Sequence, residues 1–136
     1  MHEAAIAKSI LEIVGQRLQS LGTAASAQSV EVLFGEFRNV DAESVSFAFD
    51  NMKALFPGCL NCQLSINTIH ASARCKDSEH LYRPQAENAY RCPSCGSGIG
   101  KLFQGEELDV VNVIVEVDTP LKEKRQHARV GRRARA

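Results

Sequence analysis

A chain of 136 residues with 44% apolar content reads as one compact domain, with room for a small inserted module. No apolar run approaches the ~20 residues of a membrane-spanning helix. Glu3, Lys8 and Glu12 interrupt any signal-peptide core at the start, so a cytoplasmic protein is expected. Sixteen basic residues balance sixteen acidic ones overall, but residues 122–136 hold seven Lys/Arg and one Glu, leaving nine basic against fifteen acidic residues in the body, about −6.

The chain begins Met1-His2-Glu3. A second residue as large as histidine resists methionine aminopeptidases, so Met1 should keep its place and its free α-amine. That amine, the His2 amide nitrogen and the His2 imidazole can close chelate rings on one ion. Nitrogen donors in a tetragonal set suit Ni(II) or Cu(II), and only a strongly polarising ion displaces a peptide proton.

Residues 4–21 predict an amphipathic helix, with Ile6, Ile10, Val14, Leu18 and Leu21 on one side and Gly22 placed to end it. Ala24–Ser29 reads as a connection of small residues. Val30, Val32 and Phe34 then alternate with Glu31 and Leu33 as in a half-buried strand, ahead of Gly35. Asp41 is placed to cap a second helix carrying Val45, Ala48, Phe49, Met52 and Leu55 or Phe56 on one face, which Pro57-Gly58 stops. Residues 64–69 have strand character. Val110 to Val117 predicts the strongest strand, with Val111, Val113, Val115 and Val117 on one side. Three strands and two helices give an α/β two-layer sandwich, both helices on one face of a three-stranded sheet. The expected division is residues 1–72 with 104–119 as the α/β domain, residues 73–103 as an inserted zinc-ribbon-like module, and residues 120–136 as a basic, disordered tail.

Five cysteines include two C-x-x-C pairs, which in a reduced compartment point to metal or redox chemistry rather than disulfides. Cys92-Pro93-Ser94-Cys95-Gly96 has the form of a zinc knuckle. Its partner turn should start at Cys75, yet Ser78 stands where a second thiol belongs. His80, a good zinc ligand, follows two residues on. The preferred zinc set is therefore Cys75, His80, Cys92 and Cys95. The rival set joins Cys59 and Cys62 to Cys92 and Cys95. Against it, 29 residues separate Cys62 from Cys92 with strand-like sequence between, and Cys62 reads as a buried strand-edge thiol.

Taken together, the chain resembles the HypA/HybF family of nickel metallochaperones that mature [NiFe]-hydrogenases. The residues carrying the resemblance are Met1-His2-Glu3, Phe34-Gly35-Glu36-Phe37, Glu43 with Phe47-Ala48-Phe49, Cys75-Lys76-Asp77, Cys92-Pro93-Ser94-Cys95-Gly96 and Gly105-Glu106-Glu107-Leu108. The resemblance runs from residue 1 to about 118 and departs at Ser78, where the family has cysteine. It implies a protein that is not an enzyme, with His2 as nickel ligand, Glu3 its neighbour, and a structural Zn(II) in the module. It also implies delivery of Ni(II) to the hydrogenase large subunit together with the family's maturation GTPase.

Two other readings compete. One is a small zinc-ribbon interaction module whose basic tail recruits nucleic acid or an acidic protein, although the tail has no interleaved aromatic residue, which disfavours nucleic acid. The other is a dithiol oxidoreductase, although neither C-x-x-C pair opens a predicted helix that would lower a thiol pKa.

Overall fold

The computed structural model describes residues 2–22, 24–119 and 124–135, and describes side chains up to Val117. Contacts divide the chain into two compact units. The first comprises Met1–Leu33, Val40–Asn67 and Leu108–Ala136; the second comprises Phe34–Asn39 and Thr68–Glu107. The second unit is thus wider than residues 73–103, because the segment after the first long strand joins it.

The first unit is built on helices α1 (Glu3–Ser20) and α2 (Ala42–Met52) and strands β1 (Ala25–Gly35), β2 (Gln63–Ile69), β6 (Leu108–Thr119) and β7 (Lys124–Arg135), in the sheet order β2-β1-β6-β7. The helices pack on each other, and α1 also meets β6. Ile6, Ile10 and Val14 of α1 and Val45 and Phe49 of α2 are buried, as are Val30 and Val32 of β1 and Val110, Val113 and Val115 of β6. The helical positions recur at three- and four-residue spacing and those of β1 at two, the periodicities of one buried face each. Asp41 caps α2, its Oδ1 accepting from the Glu43 amide at 3.1 Å and the Ser44 amide at 3.5 Å. Glu31, on the central strand β1, accepts from Asn67 of β2 at 3.1 Å and from Asn112 of β6 at 2.9 Å. These bonds help pin the register of three strands.

Three features depart from the expectation. Ala24–Ser29 is not a connection: β1 starts at Ala25, and the small Ala27 is buried at 2% exposure. Strand pairing overrides the weak local preference of these residues. In β6 the buried valines are Val110, Val113 and Val115, whereas Val111 and Val117 are half-buried. A register shift between Val110 and Asn112 breaks the simple alternation. The tail expected to be disordered supplies a fourth strand. β7 runs antiparallel to β6, its register setting Arg135 opposite Asp109, His127 opposite Glu116 and Arg125 opposite Asp118.

The second unit holds a smaller antiparallel sheet of β3 (Ser72–Cys75), β4 (Leu81–Tyr82) and β5 (Ile99–Gln104), in the order β4-β3-β5. Sequence periodicity missed all three because they are short. Its base is a tight crossing of the segments that enter and leave it. The Gly35 amide donates to the Glu107 carbonyl at 2.7 Å and the Phe37 amide to the Gly105 carbonyl at 2.8 Å. A Cβ at Gly35 would run into the Gly105 backbone, and Gly105 itself sits at φ +128°. Glycine is required at both positions, by close approach at one and by a left-handed conformation at the other.

Glu36 fastens the same base. Its Oε1 accepts from the buried Ala71 amide at 2.6 Å, and its two oxygens take Arg83 in a fork, Nε at 3.3 Å and Nη2 at 3.0 Å. His70 Nδ1 lies 3.6 Å from Oε2. The Arg83 guanidinium, opposed by partial burial and assisted by the Ala71 amide, holds the Glu36 carboxyl below its usual range.

Candidate metal centres

The cysteine centre is assembled by two turns of the second unit. Strand β3 ends at Cys75, and Lys76-Asp77-Ser78 turns the chain so that the Cys75 amide donates to the His80 carbonyl at 2.8 Å. In the second turn the Gly96 amide donates to the Cys92 carbonyl at 2.8 Å, and the Cys92 amide to the Ser97 carbonyl at 2.8 Å. Gly96, at φ +74°, adopts the left-handed conformation that closes this knuckle. The Lys76 amide donates to the Gly98 carbonyl at 3.0 Å and ties the turns together.

The sulfurs of Cys75, Cys92 and Cys95 all lie within 4.8 Å of one another, with Cys75 and Cys95 at 3.3 Å. Thiolates around a tetrahedral zinc stand about 3.8 Å apart, given Zn–S bonds near 2.3 Å, so three donors of a closed site are in place. Cys75 and Cys92 are buried while Cys95 is exposed. Burial alone would raise the Cys92 thiol, but the amides of Ser94 and Cys95, aided by the His80 and Cys75 side chains, hold it down at about 6. The Ser78 hydroxyl and the Ser97 amide and hydroxyl likewise lower Cys95. Donors aimed at sulfur favour thiolates, the form that binds metal.

The fourth corner belongs to neither candidate outright. Ser78 Oγ lies 3.5 Å from Cys95 Sγ and 3.9 Å from Cys92 Sγ, and its amide approaches Cys75 Sγ at 3.5 Å. His80 is exposed, with Nδ1 2.9 Å from that hydroxyl. Its side chain meets Ser78 and Cys92, beside the cluster that Cys75, Cys92 and Cys95 form. Cys59 and Cys62 lie in the first unit, outside the cluster. Both are fully buried on a turn in which the Cys62 amide donates to the Cys59 carbonyl at 3.0 Å. Burial pushes both thiols up, Cys62 to about 12.

At the other candidate centre Met1 lies outside the described residues. His2 stands at the N-cap position of α1, exposed, its side chain making no capping bond. Glu3 opens the helix, and its Oε2 accepts from the Asp41 amide at 3.2 Å. That bond, with one from its own backbone amide, lowers the Glu3 carboxyl. Glu3 is therefore anchored to the start of α2, while the exposed His2 imidazole makes no capping bond. His70, by contrast, is engaged with Glu36.

Two functional features escaped sequence reasoning. Ser78 was read as a lost ligand, although its C-x-x-S spacing places its hydroxyl where the second thiol of a knuckle would sit. Glu36 stands in a stretch that carries the resemblance, but its structural role gave no signal, because its partners Ala71 and Arg83 are 35 and 47 residues away.

Among proteins of known sequence, residues 1–115 match the family model described as hydrogenase/urease nickel incorporation, metallochaperone, HypA. The chain is 29% identical over 117 residues to the hydrogenase maturation factor HypA of Parabacteroides distasonis, covering 85% of this chain and 98% of that one. It is 30% identical over 118 residues to the factor of the same name from Chlorobium luteolum, covering 85% and 97%. The fold matches a solution structure of the Ni metallochaperone HypA from Helicobacter pylori, with TM-score 0.58, 22% identity and coverage of 83% of this chain and 96% of that one. A second HypA solution structure matches with TM-score 0.60, 23% identity and coverage of 83% and 94%. Strand β7 lies beyond the end of the family match. Among the described residues no helix is long and apolar enough to cross a membrane. The chain belongs to the HypA family of nickel-incorporation metallochaperones, proteins that carry a metal for hydrogenase maturation rather than catalyse a reaction.

Proposed function

We propose that this chain binds Ni(II) at its N-terminus, through the Met1 amine, His2 and Glu3, and delivers it in the cytoplasm to the large subunit of a [NiFe]-hydrogenase with a maturation GTPase. The observation that carries this reading is the exposed His2 imidazole, making no capping bond, at the head of a helix whose Glu3 is fixed to Asp41. Delivery needs ligands that exchange one at a time. A chain terminus on an ordered helix offers this, whereas a closed cage does not. Nickel here is cargo.

The cysteine centre is assigned to a structural Zn(II) held by Cys75, His80, Cys92 and Cys95. The three gathered sulfurs support it, and a small turn of Ser78 would admit His80 as the fourth donor. A bound metal would stabilise a module whose own core is slight.

The test compares native protein with protein bearing residues ahead of Met1, since extension converts the amine to an amide that is no ligand. Native protein should take up one Ni(II) per chain and the extended form should lose that uptake with zinc content unchanged. Equal uptake by both would move the nickel site away from the terminus.

A further inference from the structure

The pair Cys59-Leu60-Asn61-Cys62 lies outside both metal centres, where the chain leaves α2 and enters β2. Two tight turns follow each other there. The Cys59 amide donates to the Phe56 carbonyl and the Cys62 amide to the Cys59 carbonyl, both at 3.0 Å. The second bond makes Cys59 and Cys62 the first and fourth residues of a β-turn, which holds their Cα atoms within about 7 Å. Disulfides span about 4.4–6.8 Å between Cα atoms, so the turn supplies the backbone spacing of a bridge. Its flanks are tied down. The Ala27 amide donates to the Gly58 carbonyl at 2.8 Å, and the Lys53 ammonium donates to the Cys62 carbonyl at 3.1 Å.

Both cysteines are fully buried, whereas Leu60 and Asn61 between them are exposed, Leu60 at 62%. The pair therefore lies directly beneath a solvent-facing turn. Burial, and after it the neighbouring Cys59 sulfur, pushes the Cys62 thiol up to about 12 against the opposing charge of Lys53. Such a place resists negative charge. A metal held by two thiolates would bury charge there, and Lys53 is already engaged with Asp50 at 3.3 Å and with the Cys62 carbonyl. A disulfide is neutral and apolar and meets no such penalty. One buried thiol is ordinary core packing. Two thiols set across one turn go beyond what packing requires.

We propose that Cys59 and Cys62 form a reversible disulfide across this turn, made by exchange with a small disulfide such as oxidised glutathione. One cysteine thiolate attacks a sulfur of the small disulfide and releases one small thiolate. The second cysteine thiolate then displaces the other small thiolate from the mixed disulfide. Two protein thiols and one small disulfide thus become one protein disulfide and two small thiols, and the protons of the protein thiols pass to the released thiolates. Attack needs a thiolate, so exchange takes place while the turn is briefly open to solvent. The bridge braces the passage from α2 to β2. It is a stoichiometric modification of this chain, not a turnover reaction.

The experiment equilibrates the full zinc-loaded chain with mixtures of reduced and oxidised glutathione. It starts once from reduced protein and once from a chain refolded with zinc under oxidised glutathione, so that slow opening of the turn cannot hide the result. Samples are quenched in acid, alkylated and mapped by mass spectrometry. The peptide holding Cys59 and Cys62 should escape alkylation, weigh two hydrogen atoms less and carry no glutathione, with zinc retained. The bridged form should exceed the open form at least tenfold where oxidised glutathione dominates, and the ratio should reverse where reduced glutathione dominates. Cys62→Ala, checked for fold by circular dichroism, should instead hold glutathione on Cys59, because the resolving thiol is gone. Wild type in which Cys59 and Cys62 alkylate fully from both starting points overturns the proposal. So does a bridge from either residue to Cys92 or Cys95. A second zinc per chain that Cys62→Ala loses would make the pair a metal site and overturn it as well.

Discussion

Replacing Glu36 separates two contributions that the structure places on one carboxylate. Glu36→Ala removes the acceptor for the Ala71 amide, a bond of 2.6 Å to a residue only 3% exposed. It also removes the fork to Arg83. An orphaned buried amide costs about 1–3 kcal/mol. The ion pair adds less, roughly 0–1 kcal/mol, since the Arg83 side chain is 45% exposed. Together these predict a loss of about 2–3 kcal/mol for Glu36→Ala. Glu36→Gln keeps an acceptor for Ala71 and loses only the charge, so about 1 kcal/mol or less is expected. Hydrogen exchange at the Ala71 amide gives the local reading and thermal melting of the zinc-loaded chain the global one. Equal losses for the alanine and glutamine variants would refute the assignment of the larger part to the Ala71 bond. The pH dependence follows from the lowered Glu36 carboxyl. A group whose folded pKa is depressed stabilises fully above its unfolded value, near 4.5, and this contribution fades as pH falls through the lower folded value. Glu36→Gln should flatten that part of the acid-unfolding profile.

At the cysteine centre, X-ray absorption of wild type should show three sulfur neighbours and one nitrogen around zinc. Ser78→Cys should give four sulfurs and raise affinity, while His80→Ala should weaken zinc binding at least tenfold. Four sulfurs in wild type would refute the His80 assignment. Deleting residues 120–136 should spare zinc and nickel stoichiometry but lower the melting temperature and promote aggregation, because β6 becomes an unpaired sheet edge. Unchanged melting would mean that β7 adds nothing to the sheet.

Where local chemistry governs, the sequence is readable. Both helices follow from apolar spacing and from Asp41 and Gly22, and the three gathered thiols follow from C-x-x-C spacing and a turn glycine. What escaped depends on distant pairing. Strand β7 has no apolar alternation, and its place follows from backbone pairing with β6. Strands β3 to β5 exist because Arg74 meets both Leu81 and Lys101, which no single segment announces. Ser78 departs from a four-thiol set by its identity alone. That its hydroxyl would stand between His80 and the sulfurs is a matter of tertiary geometry.

The central claim concerns the first residues of the chain, and one titration tests it most directly. Ni(II) is titrated calorimetrically into zinc-loaded protein with a native N-terminus, wild type beside His2→Ala. The account predicts one nickel per wild-type chain and loss of that stoichiometric binding in His2→Ala, with zinc content and circular dichroism unchanged. A His2→Ala variant that still binds one nickel with wild-type affinity would contradict it and place the cargo site elsewhere, with His70 the next residue to replace.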